Sequence, residues 1–69
     1  MKRFYELEDG TIINLNLLAY FFIDFNWNSE GYCIIFCFVG DKRQYELYYD
    51  TYEKAEAAYN LYKKEMMEE

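Results

Sequence analysis

Between Ala19 and Gly40 two apolar runs flank a polar hexapeptide, and the second run, Tyr32 to Val39, has no polar face. Strict alternation marks a strand with one dry side; an unbroken apolar run of this length marks a strand buried on both. Ala19 to Phe25 alternates, with Ala19, Phe21, Ile23 and Phe25 on one face and Tyr20, Phe22 and Asp24 on the other. The hexapeptide between them, Asn26 to Gly31, has the Asn, Ser and Gly content of a hairpin loop.

The same reading extends in both directions. Strands are predicted over about 3–7 and 11–14, joined at Asp9-Gly10, whose residues tolerate the positive φ of a tight turn. Asn14 and Asn16 can bond to nearby backbone, which suits a bend before strand 19–25. After strand 32–39, Gly40-Asp41-Lys42 makes a turn into strand 43–49, where Tyr45, Leu47 and Tyr49 alternate with Gln44, Glu46 and Tyr48. The period then changes. Asp50 or Thr51 can cap a helix, and Tyr52, Ala55, Ala58, Tyr59, Tyr62 and Met66 form one stripe at helical spacing. With no Pro or Gly to interrupt it, the helix should span about 52–67.

The expected fold is α+β: residues 1–69 as a single domain, a small antiparallel sheet of four or five strands with one C-terminal helix packed on one face. A helix of that length is roughly 24 Å long and about 10 Å wide, enough to cover one side of the sheet. Ile34, Phe36 and Phe38 point one way and Cys33, Ile35, Cys37 and Val39 the other. One set is left without cover unless the sheet curls on itself, and uncovered apolar patches mark interaction surfaces. Cys33, Ile35, Cys37 and Val39 are therefore the candidate dimer face, and a two-fold homodimer, which matches one patch to itself, is the expected assembly.

Composition narrows the function classes. Hydrophobic content is 54%, with nine Tyr, six Phe and one Trp, so the chain can bury a core despite its 69 residues. Thirteen acidic residues against seven basic ones give a net charge of −6. Nucleic-acid binding needs a basic stripe, and Lys2-Arg3, Lys42-Arg43 and Lys63-Lys64 do not make one. The acidity serves solubility, or it forms a face that meets a basic protein surface. No apolar run is long enough for a membrane span, and Met1-Lys2-Arg3-Phe4-Tyr5 is no secretion signal, so a reducing cytoplasm is expected.

Chemistry is sparse. There is no histidine, and no glycine-rich phosphate loop. Cys33 and Cys37, four apart on a strand, lie roughly 13 Å from each other, too far for a disulfide or a shared metal. No catalytic, metal or cofactor site is expected, and the chain reads as a non-enzymatic binding protein. Asp24 interrupts an apolar strand, which marks either a functional buried acid or the solvent side of an edge. Tyr45, Tyr48, Tyr49, Tyr52, Tyr59 and Tyr62 either build a stacking platform or form the helix–sheet core. Trp27, alone in a polar loop, either folds back over the core or anchors a partner. The candidate partner-binding residues are Trp27, Glu46, Asp50, Glu53 and Glu56. The alternative is a small-ligand binder or sponge, with an aromatic pocket at a subunit boundary and Tyr, Asn and Arg43 as polar groups.

The stretches "DGTIINLNLLAYF" and "DTYEKAEAAYNLYKK" look like small β-sheet-plus-helix proteins of bacteria and phages. Size, acidity and lack of catalytic residues resemble phage-encoded inhibitors of bacterial immunity, the anti-CRISPR type. The resemblance covers general character along the whole chain and transfers no site residues. It implies a protein target in the host cytoplasm, with acidic residues occupying a groove that otherwise binds nucleic acid.

Overall fold

The computed structural model describes residues 3–67; the ends of the 1–69 domain, Lys2 among them, lie outside the described residues. Five strands precede one helix: β1 (Phe4–Glu6), β2 (Ile12–Asn14), β3 (Leu18–Asn26), β4 (Gly31–Phe38), β5 (Gln44–Tyr49) and α1 (Tyr52–Met67). The class is α+β, but the strands form two antiparallel sheets rather than one: β1-β2, and β3-β4-β5 with β4 in the middle.

The single sheet expected from the strand count is corrected at residues 14–17. Asn16 N–H donates to Asn14 Oδ1 at 2.9 Å, and Leu17 N–H donates to the Asn14 carbonyl at 3.0 Å. This side-chain-closed turn redirects the chain before β3 begins. The hairpin then has its own use for its apolar residues: Leu7 and Ile13 join Ile34, Phe36, Leu47, Ala58 and Tyr62 in one buried cluster. The hairpin thus lies over a face of the three-stranded sheet beside the helix, not at its edge. Gly10, at φ 93°, makes the turn between β1 and β2.

Thr51 caps α1, its Oγ1 accepting from Lys54 N–H at 3.2 Å. Ala55 and Ala58 bring the helix axis close to the sheet, and Tyr62 is buried against Phe36 with ring centroids 6.1 Å apart. Phe36 is fully buried and also stacks on Phe21 at 5.4 Å. Tyr45, Tyr49 and Tyr59 pack partly buried around this cluster, and Tyr48 is exposed on the other face, so the tyrosines do not share one platform.

Helix and hairpin together cover the Ile34–Phe36 side of β4. They leave the other side bare.

Candidate docking face

Register decides which residues share that bare side. Residues directly opposite in an antiparallel pair point the same way. Cys33 lies between Asp24 and Tyr48, Ile35 between Phe22 and Glu46, and Cys37 between Tyr20 and Gln44. The face is a three-by-three grid with Ile35 at its centre. Among the described residues no element packs on it, yet Cys33, Ile35 and Cys37 are only 4–8% exposed, while Tyr20, Phe22 and Tyr48 are 59%, 36% and 51% exposed. Small side chains on the central strand are shaded by larger ones on the two outer strands. The result is a shallow trough with an apolar floor and aromatic walls.

The walls are ordered by local contacts. Tyr20 and Phe22 are next to each other on one face of β3, and their rings stack with centroids 6.0 Å apart and planes at 20°. Tyr48 lies over Gly31, where a β-carbon would come within 2.7 Å of its ring. Gly31 is there for this close approach; the positive φ of the β3–β4 turn falls on Glu30 (φ 57°) instead. Gln44 Nε2 reaches the Cys37 sulfur at 3.6 Å.

The charges on this face have one sign. Asp24 and Glu46 are both exposed, and Lys and Arg are absent from the nine positions. Burial, then Glu46, then Asp24 push the Cys33 thiol above its ordinary value, which disfavours the thiolate that nucleophilic chemistry requires. Contact with the Cys37 sulfur, chiefly, raises the Tyr20 hydroxyl as well. Both cysteines are free and buried, and among the described residues no cluster of metal-ligating side chains occurs.

The candidate residues fall into separate places. Glu46 belongs to the open face, whereas Glu53 and Glu56 are exposed on α1, on the opposite side of the sheet. Asp50 pairs with Lys54 at 3.2 Å at the start of the helix. Trp27 is 84% exposed and packs T-shaped on Phe25 with ring centroids 4.7 Å apart; it stands out from the loop rather than folding over the core. The row Cys33, Ile35, Cys37 does not continue to Val39. Strand β4 ends at Phe38, Val39 is 64% exposed, and it lines a cleft with Ile12, Leu17 and Tyr45 beside the hairpin. Its N–H donates to the Leu17 carbonyl at 2.7 Å, beyond the register shift between Leu18 and Tyr20.

Residue-by-residue reading missed Tyr20 and Phe22 as site residues and weighed Tyr48 only as part of a tyrosine platform. The signal was present: alternation already grouped Tyr20, Phe22 and Asp24. It lacked only the pairing that sets them beside Cys33, Ile35 and Cys37.

A second concavity, of about 450 Å³, lies where the C-terminal half of α1 meets the start of β3, lined by Leu15, Leu18, Phe21, Tyr59, Lys63 and Met66 among others. No helix among the described residues is long and apolar enough to cross a membrane. Comparison with protein-family models, curated proteins and solved structures finds no match to this chain.

Proposed function

We propose that the chain is a non-enzymatic module that docks on another protein through the open face of the three-stranded sheet. One observation carries the reading: Tyr20, Phe22 and Tyr48 stand exposed around an apolar row that no element among the described residues covers. Aromatic side chains of this kind supply much of the energy of protein interfaces, because each buries a large area with few rotatable bonds. Trp27 is a fourth exposed aromatic, in the turn between β3 and β4 at one end of the same sheet. The specific form of the proposal, a phage or mobile-element inhibitor of a bacterial defence system acting in the host cytoplasm, draws on the small size and the net charge of −6.

Affinity capture from a bacterial lysate, with the wild-type chain and a Tyr20→Ser/Phe22→Ser variant as baits, tests the docking reading. Partners held by the wild type and lost by an equally folded variant support it. Identical captures sink it. The small-ligand reading draws on the 450 Å³ cleft, but Lys63 is its one charged group, where ligand sites converge several polar groups. A small molecule retained in native mass spectrometry would favour that reading instead.

A further inference from the structure

Resting on the docking reading, we infer that the occupant of the open face is an extended, arginine- or lysine-bearing segment of a partner protein. Charge complementarity points there. The face offers carboxylates at Asp24 and Glu46, aromatic rings at Tyr20, Phe22 and Tyr48, and no cation among its nine positions. A cation over an aromatic ring is attracted by the negative face of the ring, and a guanidinium can reach a carboxylate at the same time. The trough runs along β4, from the Tyr20–Cys37 end to the Tyr48–Cys33 end, so its shape suits a strand-like segment.

The same charges disfavour a second copy. A face-to-face dimer would enclose Asp24 and Glu46 from both subunits in one apolar layer, with no cation from either face. Buried carboxylates without partners are strongly unfavourable. Apolar match alone favours the homodimer; the carboxylates reverse the preference.

The test uses the full chain and a fluorescein-labelled peptide of about ten residues alternating Arg with Val, long enough to run the length of β4. The comparison peptide alternates Glu with Val. Fluorescence anisotropy should show binding of the first, weakening with salt, and none of the second. Glu46→Gln and Asp24→Asn should each raise Kd about three- to tenfold. Glu53→Gln and Glu56→Gln make the same change in net charge on the helix side and should leave Kd within about twofold. All four substitutions are at exposed positions, and circular dichroism verifies that each variant folds.

Equal effects of all four variants would mean that overall acidity attracts the peptide, and the inference fails. It fails also if the Arg peptide does not bind, or if sedimentation shows a micromolar self-association that excludes it. If lysate capture still depends on Tyr20 and Phe22 while the Arg peptide does not bind, the occupant is wrong and the docking reading survives. If neither depends on the face, both fall.

Discussion

Ile34 and Ile35 are neighbours on one strand, identical in chemistry, and nearly equal in exposure at 0% and 8%. Their surroundings differ completely. Ile34 is enclosed from above by the helix and hairpin; Ile35 is shaded only from the sides, by Phe22 and Glu46 across the strands. Burial by a packed layer and burial by neighbouring side chains give similar accessibilities but different energies. The first adds dispersion contacts on every side and leaves a cavity when the residue is cut back. The second leaves a hollow open to water, which fills it. Accessibility alone does not separate a core from a binding surface.

Truncation should separate them. Ile34→Ala should cost about 3–4 kcal/mol, comparable with the whole stability of so small a domain, and so leave much of the chain unfolded. Ile35→Ala should cost about 1–2 kcal/mol, since only the transfer of the lost methyl groups counts. Urea melts of the two variants measure both. Equal losses would mean that the open face is closed by something the chain itself provides.

The next largest effect concerns how the open face is built. Gly31→Ala should cost about 1 kcal/mol by pushing the Tyr48 ring off the strand, and the exposed ring can swing aside. In a Tyr48→Ala background the same change should be neutral or slightly stabilising, because the clash is gone and Ala loses less backbone entropy than Gly. A double-mutant cycle that shows no coupling would remove the contact between the two residues.

On the covered side, polarity is the weak point. The Tyr49 hydroxyl is buried and makes no well-formed hydrogen bond, although the Glu8 and Tyr62 side chains lie close enough to interact with it. Burial, above all, holds its proton far above the usual tyrosine range. Tyr49→Phe should therefore leave stability unchanged or raise it by up to about 1 kcal/mol, since a donor left unpaired by folding is removed. A clear loss in thermal or urea melts would show that the hydroxyl does have a partner.

The smallest effect is a pH dependence. Asp9 accepts from the Tyr45 hydroxyl and from Thr11 N–H at 3.1 Å, which holds its carboxyl below the ordinary 3.8. Since the folded value is the lower, the unfolded chain takes up the proton first. The contribution is full above 3.8 and is lost as pH falls through the folded value. Asp9→Asn should lower stability slightly at neutral pH, where the contribution is full, and flatten that part of the acid limb, so that the two chains converge below the folded value in pH-dependent melts. An unchanged acid limb would mean the bond does not tie hairpin to sheet.

Much of this architecture is written locally. The apolar run of β4, the alternation in β5 and the stripe of α1 each follow from one short window, and together they give an α+β chain with five strands and a C-terminal helix. Division into two sheets is not local. The turn that Asn14 closes is itself local; what is not local is that Leu7 and Ile13 find Phe36, more than twenty residues further along the chain. The site was legible to the same degree. Two apolar faces on β4 can be read from residues 32–39, but which face stays bare depends on where helix and hairpin settle. Glu46 and Glu53 are seven apart in sequence and on opposite sides of the sheet for the same reason.

The break between β2 and β3 also sets a timetable. No backbone ladder joins the hairpin to the three-stranded sheet. Side-chain links hold it, among them Thr11 Oγ1 to the Tyr45 hydroxyl at 2.8 Å and Glu8 N–H to the Tyr62 hydroxyl at 3.2 Å. A unit attached this way can lift and return while the rest stays folded. In deuterium-exchange experiments the amides that pair Tyr5 with Ile13 should then label early, through partial opening, and those of Ile34 and Ile35 last, through complete unfolding. The chain would have two clocks, one for each sheet.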